Sequence, residues 1–277
     1  MNLIYDVLSS VLPFSWADYK FMVNAFVAVL LIAPLMGVLG TMAVNNKMTF
    51  FSDDLGHSAF TGIALGVLLG IKNELISLVA FVVFVAIFIT RVKNKGHTSA
   101  DTVISVFSST SVALGLLVLS YGGSFSKYSA YLVGDILSVT ETELLCLFIT
   151  LIVVIIIWSL IYNKLLAISV NRELAASRGI KTVIYENIFV IVVAVVVMMS
   201  IKWVGILLIN SLLILPAAAA RNIAKNSRQY LVSSVIISFV CGVSGLMISF
   251  YGDTSAGATI VTVSAAVFFT TYIFRKK

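Results

Sequence analysis

The sequence predicts an all-α membrane protein, a polytopic bundle of 8–9 transmembrane helices, on three observations. Hydrophobic residues fill 60% of the 277 positions and charged residues only 11%, whereas a soluble globular domain carries roughly 25% charged residues. One globule could not keep that much apolar surface away from water, so the surplus needs lipid around it. The apolar residues also come in runs, at 143–163, 183–201, 203–220, 230–250 and 256–274, close to the roughly 20 residues a helix needs to cross a hydrocarbon core. Stretches such as Val190–Met199 are apolar at every position, where a β-barrel strand would alternate.

In chain order, residues 1–20 suit a short interfacial helix, since Pro13 and Trp16 fit the headgroup zone. The first basic residue is Lys20, so the charged start of a secretory signal is not expected. Spans are expected at 21–43, 55–71, 75–92 and 101–121, followed by the five runs above. The first span and the short, Gly-rich second one decide between eight crossings and nine. In the second span Ser58, Gly62, Gly66 and Gly70 recur every fourth position, which gives one helix face on which a neighbour can approach closely. Residues 122–142 are half apolar and too polar to span, which fits an outer loop or a helix dipping in from outside. Residues 164–182 carry the punctuation of a short helix. Asn171 can cap its start and Glu173 lies in its first turn, while Arg178 lies in its last turn and Gly179 can take the left-handed position beyond it. Such a helix either connects two spans or docks a cytoplasmic partner.

The net charge of +6 is informative through its distribution rather than as a sign of nucleic-acid binding. Basic residues stay on the cytoplasmic side of a membrane protein. With the spans above, one side holds Lys47, Arg91, Lys93, Lys95, Lys164, Arg172, Arg178, Lys181, Arg221, Lys225, Arg228, Arg275, Lys276 and Lys277. The other holds only Lys20, Lys72, Lys127 and Lys202. The C-terminus is therefore expected inside. The N-terminus is outside with nine crossings and inside with eight.

Ionisable residues inside a membrane are costly, and each is a functional candidate. Asp53 and His57 stand four apart, on one helix face. One carboxylate and one imidazole then address the same volume, which suits Mn²⁺, Fe²⁺ or Zn²⁺. Helix capping by Ser52, with Asp53 and Asp54 complementing the dipole, is the alternative, but it leaves His57 unexplained. Asp54 points elsewhere on the helix. His97 sits in a basic loop, and Thr98–Asp101 fits a capping box, so Asp101 reads as a helix start. The hydroxyls of 105–111 either line a path or bond back to their own backbone. Asp135, Glu141 and Glu143 form either a solvated outer rim or a funnel for cations. Cys146 and Cys241 lie in apolar runs without a C-x-x-C partner, which excludes a thiolate metal site. No P-loop pattern and no H-E-x-x-H is present, so ATP binding by this chain and the usual intramembrane zinc protease are not expected.

Six segments in order resemble the manganese/zinc/iron-chelate family of ABC-transporter permeases. SDDLGHSAFTGIALG (52–66) is similar to that family's S-D-A-L-S-H-A-x-x-P-G signature, and ADTVISVFSSTSVALGL (100–116) to its D-T-x-I-x-x-x-F…A-L-G segment. YLVGDILSVT (131–140), AISVNRELAASRGI (167–180), SLLILPAAAARNIA (211–224) and SAGATIVTVSAAVFF (255–269) resemble its later elements. The resemblance covers the chain from about residue 45 to its end and implies a single transmembrane permease domain, 1–277, of type II ABC-importer-like architecture. It also implies a multi-pass homodimer in a bacterial plasma membrane, two copies of a cytoplasmic ATPase, and an extracellular or periplasmic metal-binding protein that delivers the cargo. Asp53 and His57 carry over as metal contacts or gate. Glu173, Leu174, Ala175 and Gly179 carry over as residues that couple to the ATPase. The transported ion would be Mn²⁺ or Zn²⁺, or else Fe²⁺, with no permanent cofactor and no catalysis in this chain. Three positions depart from the signature. Gly56 stands for the family's Ser, Thr61 for its Pro, and Asp54 for a small residue, which bears on the ligand set and on metal preference. Permeases for iron-siderophores or vitamin B₁₂ would not need the Asp/His pair. A gradient-driven secondary transporter would lack an ATPase gene beside it. A membrane enzyme would need a second catalytic cluster, which the sequence lacks.

Overall fold

The computed structural model describes residues 15–49, 51–71, 74–95, 100–121 and 136–275. Among them there is no β-strand. The helices are α1 (Lys20–Asn45), α2 (Phe51–Leu68), α3 (Glu74–Lys95), α4 (Ala100–Tyr121), α5 (Glu141–Val170), α6 (Arg172–Ser177), α7 (Thr182–Val204), α8 (Ile206–Ile223), α9 (Ser227–Tyr251) and α10 (Ala256–Ile273). A helix occupies every expected span. Six of them, α1, α5, α7, α8, α9 and α10, are long and apolar enough to cross a membrane by length and composition. In α3 and α4 the apolar stretches are shorter, Ile76–Val92 and Thr102–Val118. Asp53, Asp54, His57 and three glycines keep α2 out of that group.

Residues 1–14, most of the expected interfacial helix, and 122–135, most of the outer segment, lie outside the described residues. Ser15–Asp18 form a short 3₁₀ turn. Trp16, expected among headgroups, is instead buried, with its ring 5.0 Å from that of Phe26 on α1. A second 3₁₀ turn, Ile136–Ser138, leads into α5. No Gly or Pro breaks the largely apolar stretch 165–170, so α5 absorbs it and the separate short helix begins only at Arg172.

The chain forms two compact units. The first comprises the described part of α1 up to Thr41, the start of α5 up to Val153, and α8–α10. Small residues and hydroxyls hold it together. Ser234 and Ser238 of α9 donate to the Gly37 and Ala33 carbonyls of α1 at 2.7 and 2.6 Å. A Cβ on Gly37 would stand 2.9 Å from Val235 Cα, and one on Gly245 would stand 2.6 Å from Ile260 Cα on α10. These are backbone-to-backbone approaches of the kind that let helices associate where lipid supplies no hydrophobic drive. Pro216 lies inside α8, flanked by the buried Leu213 and Ala217. Lys20 and Glu141 pair at 2.7 Å.

The second unit comprises α2–α4, the rest of α5, α6 and α7 up to Lys202. Here α2 packs on both α3 and α4. Ser77 of α3 donates to the Gly62 carbonyl, and Thr61 donates to the Ser111 carbonyl of α4. α5 and α7 are joined by Trp158 against Phe189, by Lys164 Nζ to Tyr185 Oη at 2.5 Å, and by the α6 contacts below. Beyond α7, Gly205 (φ +90°, ψ 157°) is the one-residue link to α8. Only glycine adopts that backbone without strain.

Candidate functional site

The first turns of α2 hold the candidate metal ligands. The helix begins at Phe51, so Ser52 is inside it rather than capping it, and its buried hydroxyl has no hydrogen-bond partner. The capping account therefore loses Ser52. Asp53 and His57 lie one turn apart with His57 Nε2 3.6 Å from Asp53 Oδ2, and their side chains are 50% and 37% exposed. That separation is too long for a good hydrogen bond. It fits two ligands of one ion: donors about 2.1 Å from a tetrahedral metal stand roughly 3.4 Å apart. Among the described residues no group of three or more His, Cys, Asp or Glu side chains gathers. The arrangement can thus grip an ion at two points and leave the other positions to water or to groups of another kind. A transport path needs such a site, which must release what it binds.

Asp54 has the opposite surroundings. It is fully buried, and neither carboxylate oxygen has a hydrogen-bond partner. Ser58, one turn on, is equally buried and unpartnered. Ser108 of α4 lies beside Asp54, close enough to act on its carboxylate but outside hydrogen-bond geometry. The hydroxyls of 105–111 divide between two roles: Ser108 lies toward α2, whereas Thr110 is exposed and bonds back to the Val106 carbonyl at 2.7 Å. Sequence reasoning places Asp54 off the Asp53/His57 face and notes it only as a departure from the signature that bears on metal preference, and it reads Ser58 only as a small packing residue. The 54/58/61 spacing, one face of α2, is the signal that could have found them.

The glycine stripe of α2 divides as well. A Cβ on Gly62 would meet Leu78 Cα at 3.1 Å, and one on Gly66 would overlap the Ser77 side chain, so both positions admit α3. Gly70 does not belong to that face: nothing lies within 4 Å of its Cβ position. It follows the helix end with φ +67°, and the Ile71 N–H reaches back to the Gly66 carbonyl at 2.9 Å. It is a helix-terminating glycine rather than a packing one.

The second candidate region is α6. Asn171 accepts from the Leu174 N–H at 2.9 Å as its N-cap. Gly179 (φ +80°) ends it, with the Gly179 and Ile180 N–H groups donating to the Ala176 and Ala175 carbonyls at 2.9 and 3.1 Å, a Schellman closure. Arg172 grips Glu186 of α7 through two bonds of 2.9 and 3.2 Å. Ala175 is buried against this base, while Glu173 and Leu174 face outward, Leu174 at 50% exposure. A six-residue helix is thereby held rigidly with one acid and one large apolar side chain displayed.

The remaining candidates resolve as follows. Glu143 Oε2 accepts from the Thr140 N–H and Oγ1, both at 2.9 Å, and closes a capping box at the start of α5. Glu141 is bound to Lys20, so each of the two acids has a structural partner of its own. Asp135 and His97 lie outside the described residues, and Asp101 falls in the first turn of α4. Both cysteines are free.

Comparison with known proteins adds a family and a fold. The sequence matches the ABC 3 transport family over residues 18–275. It is 32% identical over 253 residues to the high-affinity zinc uptake system membrane protein ZnuB of Haemophilus influenzae, covering 90% of this chain and 96% of that protein. It is 29% identical over 260 residues to the manganese import system permease protein ScaB of Streptococcus gordonii, covering 94% and 93%. Among solved structures, a chain of PsaBC from Streptococcus pneumoniae in complex with Fab superposes with a TM-score of 0.78 at 24% identity, over 98% of this chain and 95% of that one. An inward-facing metal-chelate type ABC transporter superposes at 0.72 and 13% identity, over 99% and 97%.

Proposed function

Because the chain belongs to the ABC 3 transport family, we propose that it is the membrane permease of an ATP-driven importer for a divalent transition metal, Mn²⁺ or Zn²⁺, with Fe²⁺ as a third cargo of the same ligand chemistry. The observation that carries the metal reading is the Asp53/His57 pair, a carboxylate and an imidazole 3.6 Å apart in a chain otherwise poor in intramembrane charge. A chelate permease would have no use for that pair. Relatives named for zinc and for manganese stand on either side of the choice of cargo.

In this reading all nine long helices cross the membrane and the C-terminus is cytoplasmic, consistent with the distribution of Lys and Arg. Two copies of the chain line the path. The apolar side chains that α5 exposes, Ile149, Ile152, Ile155, Ile156 and Leu160, face lipid or the second copy. A metal-binding protein delivers the ion from outside. Asp53 and His57 take it as it enters, and their two-point grip keeps release easy. On the cytoplasmic side, Glu173 and Leu174 of α6 dock into each of two ATPase subunits. Ala175 and Gly179 fix the pose of the docking helix, so that closure of the ATPases moves α5 and α7.

Cellular metal content tests the reading. The chain is co-expressed with its ATPase and binding protein while Mn, Zn and Fe are supplied together. Wild type should accumulate one metal, and His57→Ala at equal membrane abundance should lose most of that gain. Accumulation of none of the three by the wild type would move the chelate and secondary-transport readings ahead.

A further inference from the structure

We propose that Asp54, Ser58 and Ser108 form a second cation site, built of oxygen donors alone in the seam between α2 and α4, and that it takes Mn²⁺ in preference to Zn²⁺. This rests on the importer reading and goes beyond it, since Asp54 stands where the permease signature has a small residue.

Asp54 and Ser58 have no exposed surface, and both carboxylate oxygens and the Ser58 hydroxyl lack hydrogen-bond partners. An unpartnered buried carboxylate is among the costliest arrangements a protein can hold, and it is the only ionisable group among the buried side chains that lack a partner in the described residues. The geometry of the seam follows from the Thr61 hydroxyl, which donates to the Ser111 carbonyl and sets the register of α2 on α4. Asp54, Ser58 and Thr61 share one face of α2, and Ser108 and Ser111 share one face of α4. Ser108 thereby comes to lie beside Asp54. The seam thus gathers one carboxylate and two hydroxyls, with no lysine or arginine bonded to the acid.

The donor set identifies the ligand class. Carboxylate and hydroxyl oxygens suit hard cations such as Mn²⁺, whereas imidazole favours Zn²⁺. The same two turns of α2 therefore present two chemistries about 100° apart around the helix. One is the mixed nitrogen and oxygen pair of Asp53 and His57, and the other is the all-oxygen seam. An ion that passes both is selected for hardness by the second.

The test is metal binding to the purified full-length chain in lipid nanodiscs, with Mn²⁺ followed by its electron paramagnetic resonance signal and Zn²⁺ by competition with a chromogenic chelator. Asp54→Asn, which keeps the side-chain shape and removes the charge, should weaken Mn²⁺ by at least about tenfold and leave Zn²⁺ within about twofold. His57→Ala should do the reverse. Mn²⁺ binding unchanged in Asp54→Asn would overturn the site, as would equal loss of both metals in that variant. If Asp54→Asn does not reach the membrane, Ser58→Ala removes one donor without altering charge, and unchanged Mn²⁺ affinity there counts against the site. Zn²⁺ binding that ignores His57→Ala overturns the Asp53/His57 assignment alone, and a wild type that binds neither metal overturns both.

Discussion

Asp53 and Asp54 are neighbours in the sequence with opposite environments, and that contrast carries most of the chemistry. The first is half exposed beside His57, while the second is sealed against α4. The i,i+4 spacing by itself makes the Asp53/His57 pair legible. It cannot reveal Asp54, because which helix covers a given face is a tertiary fact. Glycines divide in the same way. Gly62 and Gly66 admit a neighbouring helix as their spacing predicts, but Gly70 lies past the helix end, which an every-fourth-residue pattern cannot register. Gly40 carries no sequence signal at all, yet its hydrogen faces the Leu213 carbonyl oxygen of α8 so closely that a Cβ would overlap it. Gly40→Ala is therefore expected to destabilise the first unit by about 1–3 kcal/mol, the usual cost of overpacking, seen as a lower melting temperature in detergent. Gly70→Ala, strained only by its positive φ, should cost about 1–2 kcal/mol, less than Gly40→Ala, where the added Cβ would overlap backbone. Equal effects of the two would contradict the close approach.

At the level of elements, α6 is almost fully legible in the sequence. Its Asn cap, first-turn Glu and terminal Gly all act on neighbours within a few residues. Only its start differs from the expected segment, because the apolar run after Lys164 continues α5 to Val170. Asn171→Ala should cost about 1 kcal/mol of local helix stability, visible as faster amide exchange over 172–177 with the spans unaffected. Leu174→Asp should leave the chain at normal abundance in the membrane yet strip uptake and coupled ATPase stimulation together. Full ATPase stimulation in that variant would remove α6 from the coupling role. Glu143, in contrast, is accounted for by its own helix cap, and Glu143→Gln should alter uptake by no more than about twofold, since the cap geometry survives the change.

For the whole molecule, composition alone identifies a helical membrane protein, and run length places α5 and α7–α10. The number that cross is harder to read, because α2, α3 and α4 trade apolar length for polar groups, which burial inside the protein accommodates. A reporter fused after Lys277 should be active only in the cytoplasm, and one fused ahead of Lys20 only outside, as nine crossings require. In the proposed function, ATP hydrolysis by a partner drives a divalent metal past Asp53 and His57. The most direct test is proteoliposomes holding the permease and its ATPase, loaded with a metal-sensitive dye and given Mn²⁺ or Zn²⁺ with the delivering protein. Accumulation should need ATP and fall by at least about tenfold in His57→Ala. Accumulation that proceeds without ATP, or that is indifferent to His57→Ala, would contradict that function.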